Sequence, residues 1–392
     1  MNKIIFTEEF CQPENLHPFT LTRQMQDIRV GILTIREKWE MILELPSFDK
    51  KEDDYKDMGR SVNLDEAAAD GSCFMIHGNL LPTPKLIKAV KKLKNGEFIS
   101  TGSGNGIIYR FSKNEIQDKY KIKVGRSFNF LDEIYTIEYP WDIFKLNDFA
   151  IRQDFVLLTS GKKSAKISKT NNVTRPSQVF IEKGAKVTHS IINASTGPVY
   201  IGKNAEVMEG CIIRGPFAMG ENSCLKMGTK VYGATSLGPQ CVLGGEIKNS
   251  MLFGFSNKAH DGYLGDSVIG EWCNLGAGTT NSNIKNNASD VRVWTPHGEL
   301  NAGKKCGVMM GDYSRTAVGT LINTGTVVGV NCNVFGNGLT PKNIPSFSWG
   351  SEGVTRYSFD KAMADIEDWK KLKGRSLGDE EKKVLKYIYD NY

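Results

Sequence analysis

The sequence predicts an α/β domain followed by a left-handed parallel β-helix and a short helical C-terminus. Three observations carry this expectation. First, an aliphatic or Met side chain returns every sixth residue at Ile201, Val207, Ile213, Met219, Leu225, Val231, Leu237 and Leu243, a period that belongs to neither an α-helix nor an ordinary strand. Second, mostly small residues stand two positions earlier, at Val199, Ala205, Cys211, Phe217, Ser223, Thr229, Thr235 and Cys241, and the phase resumes at Met310, Thr316, Ile322, Val328 and Val334. Such hexads arise when short flat strands joined by tight corners stack into a triangular prism with the aliphatic pointing inward. Third, the first 158 residues alternate apolar strand-like runs with helical patterns, the mark of a mixed α/β layer.

Bulk properties narrow the class. A chain of 392 residues has room for two domains and a tail. Its hydrophobic content of 40% and charged content of 24% are those of a globular protein, and no run of ~18 apolar residues is present. The opening Met1–Phe6 is too short an apolar stretch for a signal peptide, which points to the cytoplasm. A net charge of +6 without a basic, aromatic-interleaved block argues against nucleic acid and is compatible with small anions. The eight cysteines are scattered without a Cys-x-x-Cys pair, so they read as reduced packing thiols.

Element by element, Asn2–Phe6 makes a first strand, Val30–Ile35 is another apolar run, and Arg36–Leu43 continues as a helix. Cys73–Ile76 is a buried strand, and Thr83-Pro84 opens a helix that runs through Lys94, with Gly96 past its end. Gly102–Gly106 invites a phosphate-loop reading, but Ile107-Ile108-Tyr109 follows instead of a helix, which makes a hairpin turn the better expectation. Trp141–Leu158 is helical in pattern, and 159–178, rich in Lys, Ser, Thr and Asn, is a linker.

The coil is expected from Val179 to Pro345. Its phase slips between Leu243 and Tyr263, as if two residues were added to three hexads, after which Tyr263, Ile269 and Leu275 keep step. It breaks again over Gly276–Lys305, where the polar run Asn281–Asn287 predicts a projecting loop. Beyond Pro345 the tail 346–392 is helical, with Ser358 as a cap for a helix bearing Phe359, Ala362, Met363, Ile366 and Trp369 on one face, and a second helix from Asp379.

Candidate chemistry gathers where the hexads are disturbed. His260 is one of only five histidines, and it stands in Ser256–Asp266 at the first slip. One interpretation is a surface histidine bonded to a neighbouring carboxylate; the other is a base titrating near neutral pH. With roughly 18 residues per turn, Lys230 and Lys248 are expected to stack one turn apart and form an anion site, while Tyr263, Asn274 and Asn283 supply a phenol and amides for sugar hydroxyls.

Lys258-Ala259-His260, Tyr263–Asp266, Ile269-Gly270 and Asn274–Thr279 resemble the acetyltransferase half of the bifunctional glucosamine-1-phosphate N-acetyltransferase and N-acetylglucosamine-1-phosphate uridylyltransferase family, with spacing that matches without a gap from Lys230 to Asn283. Over its length the chain resembles a variant branch of that family, through stretches such as Arg29–Trp39, Ala259–Asn287 and Ser346–Gly350. The resemblance implies that His260 is the general base for attack of a sugar amine on acetyl-CoA, that Lys248 and Lys230 bind the sugar phosphate, and that Tyr263, Asn274 and Asn283 contact the sugar. It implies that Ala277 lies near the acetyl group. Lys230 stands where the family has an arginine, which keeps the charge and loses the bidentate fork. Ile284 replaces a family tyrosine, and Asp312 falls at a serine beside coenzyme A, a poor neighbour for a phosphate-rich molecule.

For the first domain the resemblance implies nucleotidyl transfer, but the Gly-x-Gly-Thr-Arg-Met nucleotide loop is missing. Leu16–Arg23 takes its place, with Arg23 the expected phosphate contact. His77-Gly78-Asn79 stands where an aspartate binds magnesium, and Asp148 matches the second metal position. For Arg23 and Asp148 a surface salt bridge and a helix-capping carboxylate are equally open. The expectation is a homotrimeric sugar-phosphate transferase, chiefly a CoA-dependent N-acetylase. Nucleotidyl transfer with the coil as scaffold, and a non-catalytic trimeric binding module, are the rivals.

Overall fold

The computed structural model describes residues 2–51, 55–57, 59–102, 105–118, 121–353 and 355–392. The chain forms two compact units, one of Met1–Pro13, Arg23–Ile28 and Leu33–Glu138, the other of Glu14–Thr22, Arg29–Ile32 and Tyr139–Tyr392. The division therefore falls at Glu138, and two stretches from the first 32 residues cluster with the coil.

The first unit is built on a seven-stranded sheet. Across it run Ser127–Asn129, Glu97–Ser100, Gly106–Phe111, Cys73–His77, Lys3–Thr7, Ser47–Lys50 and Ser61–Val62. All neighbours are parallel except Gly106–Phe111, which is antiparallel to both of its own. Cys73–His77 is buried along its whole length, as a central strand of such a sheet must be. The chain winds outward from Lys3–Thr7 and then returns to its other side at Cys73–His77, so the order reverses between these two strands. Helix Ile35–Leu43 starts with a capping box between Thr34 and Glu37, and helix Pro84–Val90 starts with Pro at its first turn and the Thr83 hydroxyl on the Leu86 amide. The expected hairpin turn at Gly102–Gly106 is flanked by antiparallel strands, although Ser103 and Gly104 lie outside the described residues.

The second unit contains a three-faced parallel β-helix. Its first face runs from Asn172–Thr174 through Ile191–Asn193, Ile212–Arg214, Lys230–Tyr232, Glu246–Lys248 and Tyr263–Gly265. The second has nine strands from Val179–Ile181 to Asn343–Ile344, and the third has eight from Lys186–Val187 to Asn333–Val334. The hexad aliphatics fill the interior as expected: Ile201, Val207, Ile213, Met219, Leu225, Val231, Leu237 and Leu243 are all buried in one cluster.

The slip after Leu243 is a shortening, not the lengthening that the hexads suggested. The turn from Ile213 to Val231 takes eighteen residues, whereas Val231 faces Ile247 after sixteen and Leu243 faces Lys258 after fifteen. Consequently Leu264, opposite Ile247, points inward, and Tyr263 points outward. Gly238 marks the tight spot: a β-carbon there would lie 1.4 Å from the Phe253 carbonyl oxygen on the shortened rung.

The polar run at the second break does not all project. Thr280–Asn281 forms one more rung, paired with Leu321–Ile322, and Asn281 is buried because its amide bonds both the N–H and the carbonyl of Gly265. The excursion that follows carries a hairpin, Arg292–Thr295 with Gly298–Asn301, before the coil resumes at Met309–Met310.

Three further segments cover the coil. Trp141–Leu158 divides into helices Pro140–Lys145 and Asn147–Thr159, and Asn147 ties them to the second face through the Ala234 carbonyl and the Ser236 hydroxyl. Glu14–Thr22 lies on the same unit, with Leu16, Phe19 and Leu21 buried and the Phe19 ring 5.1 Å from that of Phe253. The C-terminal helices Phe359–Lys371 and Asp379–Asn391 attach through Trp369 over Arg315, and through Lys373 to the Gln240 carbonyl. Ser358 stands at the cap position without a side-chain cap bond. All eight cysteines are free. Among the described residues no helix is long and apolar enough to cross a membrane.

Candidate functional site

On the first face, alternate residues of each strand point outward. Register places Lys230 opposite Glu246 and Glu246 opposite Tyr263, while Tyr232 is opposite Lys248 and Lys248 opposite Gly265. Lys230 and Lys248 therefore share one outward face on adjacent rungs, displaced by two residues along the strand. The direct stacking expected from an 18-residue turn fails because this turn is two residues short. Lys230 is exposed and Lys248 half-buried.

Tyr232 and Glu246 fill the space between the lysines. The Tyr232 hydroxyl donates to Glu246 Oε1 at 2.7 Å, and that bond pushes the phenol up to about 12. The Tyr263 phenol is also pushed up to about 12, chiefly by burial, and accepts from Asn283 Nδ2 at 3.1 Å. The same Asn283 amide donates to Asp266, whose other oxygen accepts from Asn249 Nδ2 at 2.7 Å. Asp266 is buried at a corner with positive φ, so this carboxylate fixes the edge of the face on which Tyr263 stands. The sequence reading missed Asp266 and Asn249; the only signal was their place beside expected site residues.

His260 occupies the corner that joins the third face to the first. It is exposed, and among the described residues its imidazole has no hydrogen bond or ion pair, so the neighbouring-carboxylate alternative is not realised. The Gly278 amide donates to the Asp261 carbonyl at 3.0 Å, which stacks this corner under that of Ala277 and Gly278. Ala277 thus lies one rung from His260. Asn274 is different: it belongs to the third face, beside Asn257, and one chain does not bring it to Tyr263.

Lys258, for which the sequence carried no expectation, is buried. Its side chain lies inside the prism in the column of Leu225, Leu243 and Leu275, and the residue is only 1% exposed. The ammonium donates to the Gly244 carbonyl at 3.3 Å and to the His260 carbonyl, and burial lowers it from the ordinary 10.5 to about 8.

Asp312 does not face a ligand groove. It is buried, accepting from the Glu271 amide at 2.8 Å and the Thr22 hydroxyl at 2.6 Å, so the expected clash with a phosphate-rich molecule disappears. In Leu16–Thr22, the segment that stands in place of the nucleotide loop, the side chains of Leu16, Phe19 and Leu21 are buried on the coil. Arg23 follows it in the first unit, half-buried.

Asp148 lies on helix Asn147–Thr159 of the second unit, half-buried and ion-paired to Arg152, which also donates to the Thr196 carbonyl at 2.6 Å. At the carboxyl ends of the first unit's strands, where open α/β sheets bind ligands, the acidic groups are already engaged. Lys56 holds Glu8, Lys50 holds Glu9, and Arg36 with Gln26 holds Asp49. Asn79 offers a neutral amide whose oxygen meets the Cys11 thiol at 3.5 Å, and His77 is buried and lowered to about 4. Among the described residues no three His, Cys, Asp or Glu side chains converge, and Asn79 puts a neutral amide where the resemblance expects a carboxylate.

Residues 4–163 match the model of the sugar nucleotidyl transferase family. The chain is 33% identical over 26% of its length to the bifunctional protein GlmU of Methanocaldococcus jannaschii, covering 25% of that protein. It is 27% identical over 38% of its length to the bifunctional sugar-1-phosphate nucleotidylyltransferase/acetyltransferase of Sulfurisphaera tokodaii, covering 38% of it. The uncharacterized acetyltransferase YaiX of Escherichia coli is 28% identical over 42% of this chain and 74% of its own length. The chain thus spans between a quarter and two fifths of the two bifunctional relatives. Residues 4–163 are similar to the sugar nucleotidyl transferase family, and the chain is similar in part to bifunctional sugar-1-phosphate nucleotidylyltransferase/acetyltransferases.

Proposed function

We propose that the coil catalyses CoA-dependent N-acetylation of an aminosugar 1-phosphate of the glucosamine type, in the cytoplasm and as a homotrimer. The observation that carries this reading is the convergence of Lys230, Lys248 and Tyr263 on one face, next to the corner that presents an exposed His260. The two ammonium groups receive the phosphate, and Tyr263 with Asn283 meets sugar hydroxyls. The sugar nitrogen attacks the thioester carbonyl; a C–N bond forms and the C–S bond breaks. His260 takes the proton from nitrogen and coenzyme A leaves with the sulfur electron pair, which a proton then neutralises. Ala277, small and one rung away, leaves room for the acetyl group. Asn274, facing away on the third face, becomes useful if a neighbouring subunit presents its own first face there, which is the reason for proposing a trimer.

The test is thiol release from acetyl-CoA against a panel of aminosugar phosphates, run beside His260→Ala. Equal rates in the two proteins rule the base out. A monomeric mass by light scattering at micromolar concentration rules the trimer out. The match over residues 4–163 favours a second reading, nucleotidyl transfer in the first unit, with Arg23 on the phosphates. Pyrophosphate release from a nucleoside triphosphate and a sugar 1-phosphate tests it. Asn79 and the ion-paired Asp148 give no basis for routing a step through a metal.

A further inference from the structure

The interior of the coil is aliphatic, yet one position in its third-face column is a lysine. Lys258 replaces the leucines that stand above and below it, at Leu275 and Leu243, and its amine reaches out of the apolar interior at the corner that carries His260. A buried ammonium is costly unless its N–H groups find acceptors. Here the acceptors are the carbonyls of Gly244 and His260 itself. The corner is close enough to be gripped in this way because Gly244 has no side chain: a β-carbon there would lie 2.3 Å from the Ala259 carbonyl oxygen. Three more bonds end on the corner. The Glu246 amide donates to Gly262, the Gly278 amide donates to Asp261, and the Tyr263 amide donates to the Thr280 hydroxyl.

We propose that Lys258 is a positioning residue, whose interior ammonium pins the His260 carbonyl to the rung below and so aims the imidazole at the acceptor amine. This rests on His260 acting as the base. Asp261 is the acidic group that bears on the ammonium; the neighbouring strands contribute Val242, Leu243, Asn274 and Leu275, none of which titrates.

The experiment is residue-resolved hydrogen exchange on the full chain, with acetyl-transfer kinetics alongside. Lys258→Met keeps the volume and removes the donors. The expected result is exchange about tenfold faster at the Glu246, Gly278 and Tyr263 amides, as for loss of a charged hydrogen bond, with the rungs from Cys211 to Leu243 unchanged. kcat should fall about tenfold and the KM for the sugar phosphate should stay within about twofold, because aim and not binding is lost. An unchanged corner, or a loosened corner with kcat intact, overturns the proposal. If wild-type protein transfers no acetyl group, the proposed function fails, while the exchange data still decide whether the ammonium holds the corner. If Lys258→Met does not fold, Lys258→Leu, the residue of the adjoining rungs, decides: protection at those three amides, relative to the corner at Gly228, should fall about tenfold from wild type. An unchanged ratio overturns it.

Discussion

Replacing Lys258 by Met should change the pH dependence of stability more clearly than its size. The folded ammonium is lowered to about 8 from an ordinary 10.5. Below pH 8 both folded and unfolded chains carry the proton, so the folded state bears the full penalty of burying the charge. Between pH 8 and 10.5 the unfolded chain still holds a proton that the folded chain has released, so stability rises with pH. Above 10.5 the penalty is gone. At ~1.4 kcal/mol per unit the upper bound is about 3 kcal/mol, and screening at a corner next to solvent reduces it to about 2 kcal/mol. The Met variant lacks this titration but loses the bonds to Gly244 and His260, so the sign of its difference from wild type at a single pH is not diagnostic. The change in that difference is. Wild type should gain about 2 kcal/mol on Lys258→Met between pH 7 and 10.5, read as a shift of roughly 5 °C in the relative Tm of the coil transition. All other lysines titrate in both proteins and cancel. A gap that stays constant across this range would refute the claim that the ammonium is desolvated.

His260→Ala should lower acetyl transfer by about 10²–10⁴-fold, the usual worth of a general base, with the Tm unchanged because the side chain is exposed. Lys248→Ala should raise the KM for the phosphorylated sugar with little effect on kcat, since phosphate is bound equally in ground and transition states; steady-state kinetics separate the two. Gly238→Ala places a methyl group 1.4 Å from the Phe253 carbonyl oxygen and should destabilise the coil by about 3 kcal/mol or more, measured by denaturant unfolding.

The period of the coil was legible because an interior only one side chain wide demands an apolar residue at each inward position, and Ile201 to Leu243 obey it without exception. The shortened rung was not legible, because the chain presents Tyr263 and Leu264 side by side and either satisfies a hydrophobic template. Only pairing with Ile247 decides between them. Leu16–Thr22 reads as a loop for the same reason: what fixes it is burial on the coil and a hydroxyl bond to Asp312, a residue 290 positions later. The candidate residues were named as a set by resemblance, yet their relative placement was invisible there. Lys230 and Lys248 are displaced because their turn is short, and Tyr232 with Glu246 occupies the gap between them. Lys258 was equally illegible: its place in the inward column follows only from the pairing of Leu243 with Lys258, and its acceptors, the carbonyls of Gly244 and His260, are backbone atoms that no residue pattern displays.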